Sequence, residues 1–215
     1  MRSRFVDRVE AGHRLATAVA AALGPVAPAD VIVLGLPRGG VPVAAPVAAQ
    51  LGATLDILAV RKVGTPGHTE LAIGAIASGG LVVRNDDLVA QLGLRDRAVE
   101  RRMAIARQEL DDQERRLRGD RPRPPLADRV VVLVDDGLAT GATMRAAVLA
   151  VRTAGPRRVV VAVPVGPPDT CAELAAIADD VVCPVQPPEF MAVGQWYADF
   201  STTTDDDVLR LLDSQ

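Results

Sequence analysis

Lysine, aromatic side chains and cysteine are all scarce in this chain, and each scarcity narrows what it can be. There is one lysine, Lys62, among 24 basic residues, only 2% of the 215 residues are aromatic, and the two cysteines are Cys171 and Cys183. A core drawn from the 49% hydrophobic fraction must therefore be aliphatic. The cysteines lack CxxC spacing, so they read as buried thiols of a cytoplasmic protein rather than as a disulfide or redox pair. With only two histidines, no metal site made by protein alone is expected. Positive charge is also lacking. The net charge is -3, which leaves no electrostatic footprint for nucleic acid. No apolar run approaches the ~18 residues of a membrane span, and Arg2, Arg4, Asp7, Arg8 and Glu10 make the N-terminus too charged for a signal sequence. The length suits a single domain over residues 1–215.

What is present is an alternation of apolar runs and amphipathic stretches. Residues 5–23 place Phe5, Val9, Leu15, Val19 and Leu23 on or near one helical stripe, closed by Pro25 and Pro28. An apolar strand at 31–34 runs into a glycine-rich loop, 35–42, then a helix over 43–51 and a strand over 54–60. That spacing is a parallel βαβ unit. Residues 61–80 read as a long glycine-rich loop, its second half a hairpin of 71–77 with 81–84. A short capped helix ends near Leu92, and a long charged helix covers 95–118. In the long helix Val99, Met103, Ala106, Leu110, Gln113 and Leu117 form a seam, to pack on its own domain or against a second copy in a homodimer. After an extended linker at 120–125, strands are expected over 130–134, 157–165 and 181–183, and helices over 144–151, 169–177 and 204–212. The fold class is α/β: a mostly parallel sheet with helices on both faces.

Chemistry concentrates in residues 130–143. An apolar run without alternation, a strand buried on both faces, ends in Asp135 and Asp136. Gly137, Leu138 and Ala139 lead to Thr140, Gly141, Ala142 and Thr143, and a helix follows. Carboxylates accept hydrogen bonds from vicinal hydroxyls, and free amides at a helix N-terminus bind a phosphate dianion. The order describes a cradle for a phosphorylated sugar. Arg38, Gly39 and Gly40 follow one strand, and Arg61 and Lys62 follow another, at the strand ends where open α/β sheets place ligands. No Gly-Lys-[Ser/Thr] occurs, which excludes a Walker loop.

Residues 131–143 resemble the PRPP-binding motif of the type I phosphoribosyltransferases, PRPP being 5-phosphoribosyl 1-pyrophosphate. The pattern is four mostly apolar residues, two acids, three variable residues, a hydroxyl residue, glycine, a small residue and a last hydroxyl residue. Every position from Val131 to Thr143 fits it. Pro37, Arg38, Gly39 and Gly40 resemble the family's pyrophosphate loop, which often carries a non-proline cis peptide, here expected at Arg38–Gly39. The resemblance implies that Asp135 and Asp136 hold the ribose hydroxyls and that Gly137, Thr140, Gly141, Ala142 and Thr143 wrap the 5-phosphate. Arg38, the Gly39 and Gly40 amides, Arg61 and Lys62 are then the pyrophosphate ligands, with Asp135, Asp136 and Lys62 in catalytic roles. Residues 61–80 take the place of a mobile loop that closes over PRPP, with Glu70 a candidate near the base and His68 a solvated loop residue. An insertion at about 81–128 and a hood at about 184–200 complete the expected domain.

Trp196 and Tyr197 lie in that hood, as faces that stack a base or as part of a small satellite core. Magnesium enters with the pyrophosphate, held mainly by PRPP and water, with Asp135 and Asp136 as the nearest protein oxygens. The implied activity is transfer of the phosphoribosyl group from PRPP to a small nitrogen acceptor, a nucleobase by the family's habit, with release of pyrophosphate. The 6-oxopurine enzymes place a lysine before the hood, whereas this chain has none after Lys62, so the acceptor is open. Two alternatives are a non-catalytic PRPP or nucleotide sensor on the same fold and a sugar-phosphate hydrolase.

Overall fold

The continuous apolar runs become strands that are covered on both faces. A computed structural model describes residues 4–65 and 68–214. Its strands are Val31–Gly35 (β1), Thr54–Ile57 (β2), Val60–Thr65 (β3), His68–Ala77 (β4), Leu81–Arg84 (β5), Val130–Val134 (β6), Arg158–Ala162 (β7) and Asp180–Val182 (β8). Its α-helices are Arg8–Leu23 (α1), Gly40–Leu51 (α2), Asp86–Gln91 (α3), Asp96–Arg118 (α4), Ala142–Arg152 (α5), Pro168–Ala175 (α6) and Asp205–Asp213 (α7). A five-stranded parallel sheet has the order β2-β1-β6-β7-β8. Alternate residues of each strand point to opposite faces. Val31, Val33, Val130 and Val132 meet α1, α2 and α7, while Ile32, Leu34, Val131 and Leu133 meet α5 and α6. The α/β class expected from the sequence is the class observed.

Register sets the position of the site. Gly35 of β1 lies opposite Val134 of β6, so the two strands end level. The loop after Gly35 and the acidic pair after Val134 therefore emerge side by side at the C-terminal edge of the sheet.

The segment 61–80 differs from the expected loop. Residues 60–65 and 68–77 are antiparallel strands which, with β5, make a second sheet of order β3-β4-β5. The parallel strand stops at Ile57, so Arg61 and Lys62 belong to the second sheet rather than to the end of β2. The glycines misled for a packing reason. A Cβ on Gly74 would lie 2.4 Å from Met103 Cε and 2.4 Å from the Val83 carbonyl oxygen, so this glycine admits α4 against the sheet. Val63, Ile73 and Ile76 are buried there against Val99, Ala106 and Leu110 of α4. The seam of the long helix thus packs within its own chain. The side chains of His68 and Glu70, and residues 66–67, lie outside the described residues.

Other elements end where local chemistry dictates. The Asp7 carboxylate caps α1 by accepting from the Glu10 amide, and Thr204 with Asp207 forms a capping box on α7. Cys171 and Cys183 are free and buried. No described helix is long and apolar enough to cross a membrane.

The far end of α4 is held by a buried ionic cluster. Arg118, 5% exposed, pairs with Asp56 of β2 and with Glu114, and donates to the Ile57 carbonyl at 3.2 Å. Arg123 adds two bonds of 2.8 Å to Glu114. Burial pushes the Asp56 carboxyl up, and Arg118 opposes that shift. Arg118→Ala leaves the Asp56 charge buried and uncompensated, and is expected to lower stability by about 3–5 kcal/mol. The check is a fall in the urea midpoint at unchanged m-value.

Candidate active site

Two loops meet at the C-terminal edge of β1 and β6. The first, residues 36–39, turns from β1 into α2. The Leu36 amide donates to the Val134 carbonyl at 2.8 Å, and the Gly40 amide returns to the Leu36 carbonyl at 2.9 Å. Gly40 therefore does not offer its amide to a ligand as expected. The loop contains a cis peptide at Pro37–Arg38, one bond earlier than the expected Arg38–Gly39. Gly39 is required by close approach, since a Cβ there would lie 2.2 Å from Asp136 Oδ2. Arg38 pairs with Asp205 at the start of α7, at 3.4 Å. Both side chains are about half exposed, and such a pair holds with about 1 kcal/mol or less, weak enough to release Arg38 to a stronger anion.

The second loop carries the acidic pair. Asp136 offers its amide to Asp135 Oδ1 at 2.9 Å. The Asp136 carboxylate accepts from Arg8 Nε at 2.8 Å, and its main-chain carbonyl accepts from the Tyr197 hydroxyl at 2.5 Å. Burial pushes the Asp135 carboxyl up to about 8, and the neighbouring Asp136 charge adds to the shift, against the pull of the Asp136 amide and Arg8. Asp136 is also raised by burial, with Arg8 opposing through its hydrogen bond and its charge. Burial raises the Tyr197 phenol too, so Tyr197 stays protonated and donates.

Past the pair, Gly137 is pressed by Val193, whose Cγ1 would lie 2.7 Å from an added Cβ, and Leu138 donates to the Val165 carbonyl at 2.9 Å. Gly141 caps α5 at φ +67°, the left-handed region that glycine adopts without strain. Thr140 and Thr143 are exposed around it. The first amides of α5 have no acceptor within the helix and so suit an anion. Thr170 of α6 backs this loop, its hydroxyl donating to the Ala139 carbonyl at 3.3 Å.

The expected residues do not all converge. Gly39 packs on Asp136 and Gly40 on Asp135, and residues 137–143 continue from the pair into α5, with Gly40, Gly137 and Leu138 buried. Lys62 points to the α5 side of β3, where it shares a cavity of about 280 Å³ with Thr140, Ala142 and Arg145. Arg61, on the opposite face of the same strand, pairs with Glu109 of α4 at 3.2 Å and does not join the site. Trp196 and Tyr197, 6% and 3% exposed, are buried with Phe5, Ala11 and Val165. Of the two readings of the aromatics, the satellite core is the one observed, and neither ring is a free stacking face. Among the described residues no group of three or more His, Cys, Asp or Glu side chains is placed to hold a metal alone.

Two participants escaped the sequence reading. Arg8 comes from the first turn of α1, 128 residues before its partner, and Thr170 comes from α6. Nothing local marks either one. The charge of Arg8 at a helix N-terminus, where an acid is favoured, was the available signal.

Comparison with known proteins accords with this geometry. The family model described as the phosphoribosyl transferase domain matches residues 6–197. A Mycobacterium tuberculosis protein named "Putative phosphoribosyl transferase Rv0571c" is 49% identical over 212 residues, covering 97% of this chain and 46% of that protein. The chain thus spans about half the length of the curated relatives it matches. The crystal structure of the TT1426 protein of Thermus thermophilus superposes with a TM-score of 0.85 at 47% identity, over 97% of both chains. The AQ2163 protein of Aquifex aeolicus shares the fold alone, with a TM-score of 0.53 at 12% identity over 87% of this chain and 78% of that one. With the family model spanning the sheet, the acidic pair and the loop into α5, the chain belongs to the phosphoribosyl transferase family.

Proposed function

We propose that the chain transfers the phosphoribosyl group of PRPP to a small nitrogen acceptor, such as a nucleobase, and releases pyrophosphate. The observation that carries this reading is the juxtaposition of the acidic pair with a left-handed glycine at the head of α5, one arm for vicinal hydroxyls and one for a phosphate. The ribose 5-phosphate is received by the α5 amides, Thr140 and Thr143. Asp135 and Asp136 accept from the ribose hydroxyls. Arg38, freed from Asp205, and Lys62 face the pyrophosphate. The two carboxylates are hard oxygen donors, suited to magnesium that enters with PRPP and lends positive charge to the departing pyrophosphate.

In the reaction the bond from the anomeric carbon to the pyrophosphate oxygen breaks and takes its electron pair with it. A bond from the acceptor nitrogen to the same carbon forms, and that nitrogen releases its proton. Positive charge develops on the sugar near Asp135 and Asp136, so the catalytic contribution is electrostatic and positional, with no protein nucleophile.

The test is pyrophosphate release from PRPP and magnesium across purines, pyrimidines and small amines. Asp136→Asn is expected to lower turnover by about 10²–10³-fold, the scale of a lost charge-stabilising group. An active double variant, Asp135→Asn with Asp136→Asn and turnover near wild type, would sink the assignment. Tight PRPP binding without turnover over the whole panel would favour a sensor, and release of inorganic phosphate a hydrolase.

The same pair predicts a pH dependence. Both carboxyls are raised in the folded state, Asp135 to about 8. The contribution of Asp135 to stability is therefore fully present below its unfolded value near pH 4 and is lost as pH rises through about 8, with Asp136 acting in the same direction. The melting temperature of the ligand-free protein should fall between pH 5 and pH 9. Asp135→Asn should flatten that decline, and scanning calorimetry across the range is the measurement.

A further inference from the structure

We propose that Arg8 is a positioning residue, holding the Asp136 carboxylate in the orientation that a ribose hydroxyl requires and tying it to the hood. The inference rests on the function proposed above. It starts from the number of fixed contacts that one guanidinium makes. Nε donates to Asp136 Oδ2 at 2.8 Å, and Nη1 donates to the Ser201 carbonyl at 2.7 Å. The guanidinium carbon lies 3.9 Å from the centre of the Phe200 ring. A planar fork held along two edges and one face has little freedom left, and what it grips inherits that order. The pair is enclosed, with side-chain exposures of 12% and 16%, so solvent screens it weakly.

Asp136 is fixed from its other sides as well. Tyr197 bonds its main-chain carbonyl, and the Gly39 backbone closes on Oδ2 beside Arg8. The contact with Arg8 uses Oδ2, and the second oxygen of the carboxylate is the one a hydroxyl can address. Without the guanidinium, two adjacent carboxylates would face each other in a site that disfavours both charges. The ionisable groups around the pair are Glu10 of α1, Asp135 on the same loop, and Tyr197 and Asp199 of the hood, so Arg8 supplies the cation among them.

A purely structural account of Arg8 explains less. A cation in the first turn of α1 opposes the helix dipole, so the helix gains nothing from it. The N-terminal segment is already tied to the hood without it. Phe5 donates to the Trp196 carbonyl at 2.7 Å, Ala198 to the Phe5 carbonyl at 2.8 Å and Asp199 to the Val6 carbonyl at 2.9 Å. The attachment of α1 should survive the loss of Arg8, whereas the geometry of Asp136 should not.

The experiment is a double-mutant cycle of Arg8→Ala and Asp136→Asn, read by pyrophosphate release at varied PRPP, with Arg8→Lys as the conservative variant. Arg8→Ala is expected to lower kcat by about 10²-fold, the effect of a misplaced catalytic group, while KM for PRPP shifts less than about 3-fold. In the Asp136→Asn background the same change should cost less than about 3-fold, because partners that act as one unit are not additive. Arg8→Lys keeps the charge and loses the fork, and should recover about 10-fold of the loss. Equal losses in both backgrounds, or a kcat for Arg8→Ala within about 3-fold of wild type, would overturn the proposal and leave the function standing. If Arg8→Ala does not fold, Arg8→Lys alone decides, since wild-type kcat in that variant overturns the role of the fork. A wild-type protein that releases no pyrophosphate with any acceptor overturns the function, and this role with it.

Discussion

Two like charges at the end of a strand with no exposed residue form the constraint to which the surrounding molecule answers. β6 is buried along its whole length, so Asp135 and Asp136 leave an apolar interior with little water to share their charge. Burial and mutual repulsion disfavour their ionised forms. What stabilises them is local and specific: the Asp136 amide on Asp135 and Arg8 on Asp136, while a phenol that stays protonated holds the Asp136 main-chain carbonyl. The crowding also dictates sequence elsewhere. Any side chain at position 39 would occupy the place of Asp136 Oδ2, so the neighbouring loop needs glycine at that point. A fold that keeps such a pair gains binding capacity for hydroxyl donors and carries a standing cost in stability, a familiar trade at functional sites.

How much of this was legible depended on distance along the chain. The parallel sheet was readable because β1, β6 and β7 are apolar without interruption, which only a strand covered on both faces requires. The strand, acidic pair, small-residue loop and helix of 130–152 were readable because their parts are consecutive. Failures came where a partner lies far away in sequence. Glycines at 64 and 74 suggested a loop, yet Gly74 exists to admit Met103 of α4, a helix that follows β5 and α3. Arg61 and Lys62 looked equivalent side by side, and strand alternation sends one to Glu109 and the other toward Thr140. The cis peptide was expected in the right loop and placed one bond late. Arg8 carried no motif at all.

The aromatic residues make the same point about the hood. Trp196 and Tyr197 suggested stacking faces because aromatics are so scarce here. Scarcity has a second consequence: a small cluster far from the main core needs the largest side chains available to close itself. Phe5 arrives from the N-terminus, its ring centre 5.4 Å from that of Tyr197, and the three large residues bury one another. Phe200 stays at the rim, 5.0 Å from Tyr197 and under the Arg8 guanidinium.

This arrangement explains why the sheet and the loop into α5 could be read and the hood could not. Groups suited to PRPP lie on strand ends and a helix start, elements with strong periodic signatures and nearly fixed geometry. The hood is irregular and is assembled from both ends of the chain, with residues 5–8 laid against 196–201 by three main-chain hydrogen bonds and one guanidinium. Its shape is therefore a property of tertiary contact between segments from opposite ends of the chain, which no local pattern records. The contact that joins the two halves is Arg8, which faces Asp136 on one side and Phe200 and Ser201 on the other. A displacement of Ser201 or Phe200 would reach the Asp136 carboxylate through that guanidinium, while Tyr197 ties the hood to the Asp136 main chain.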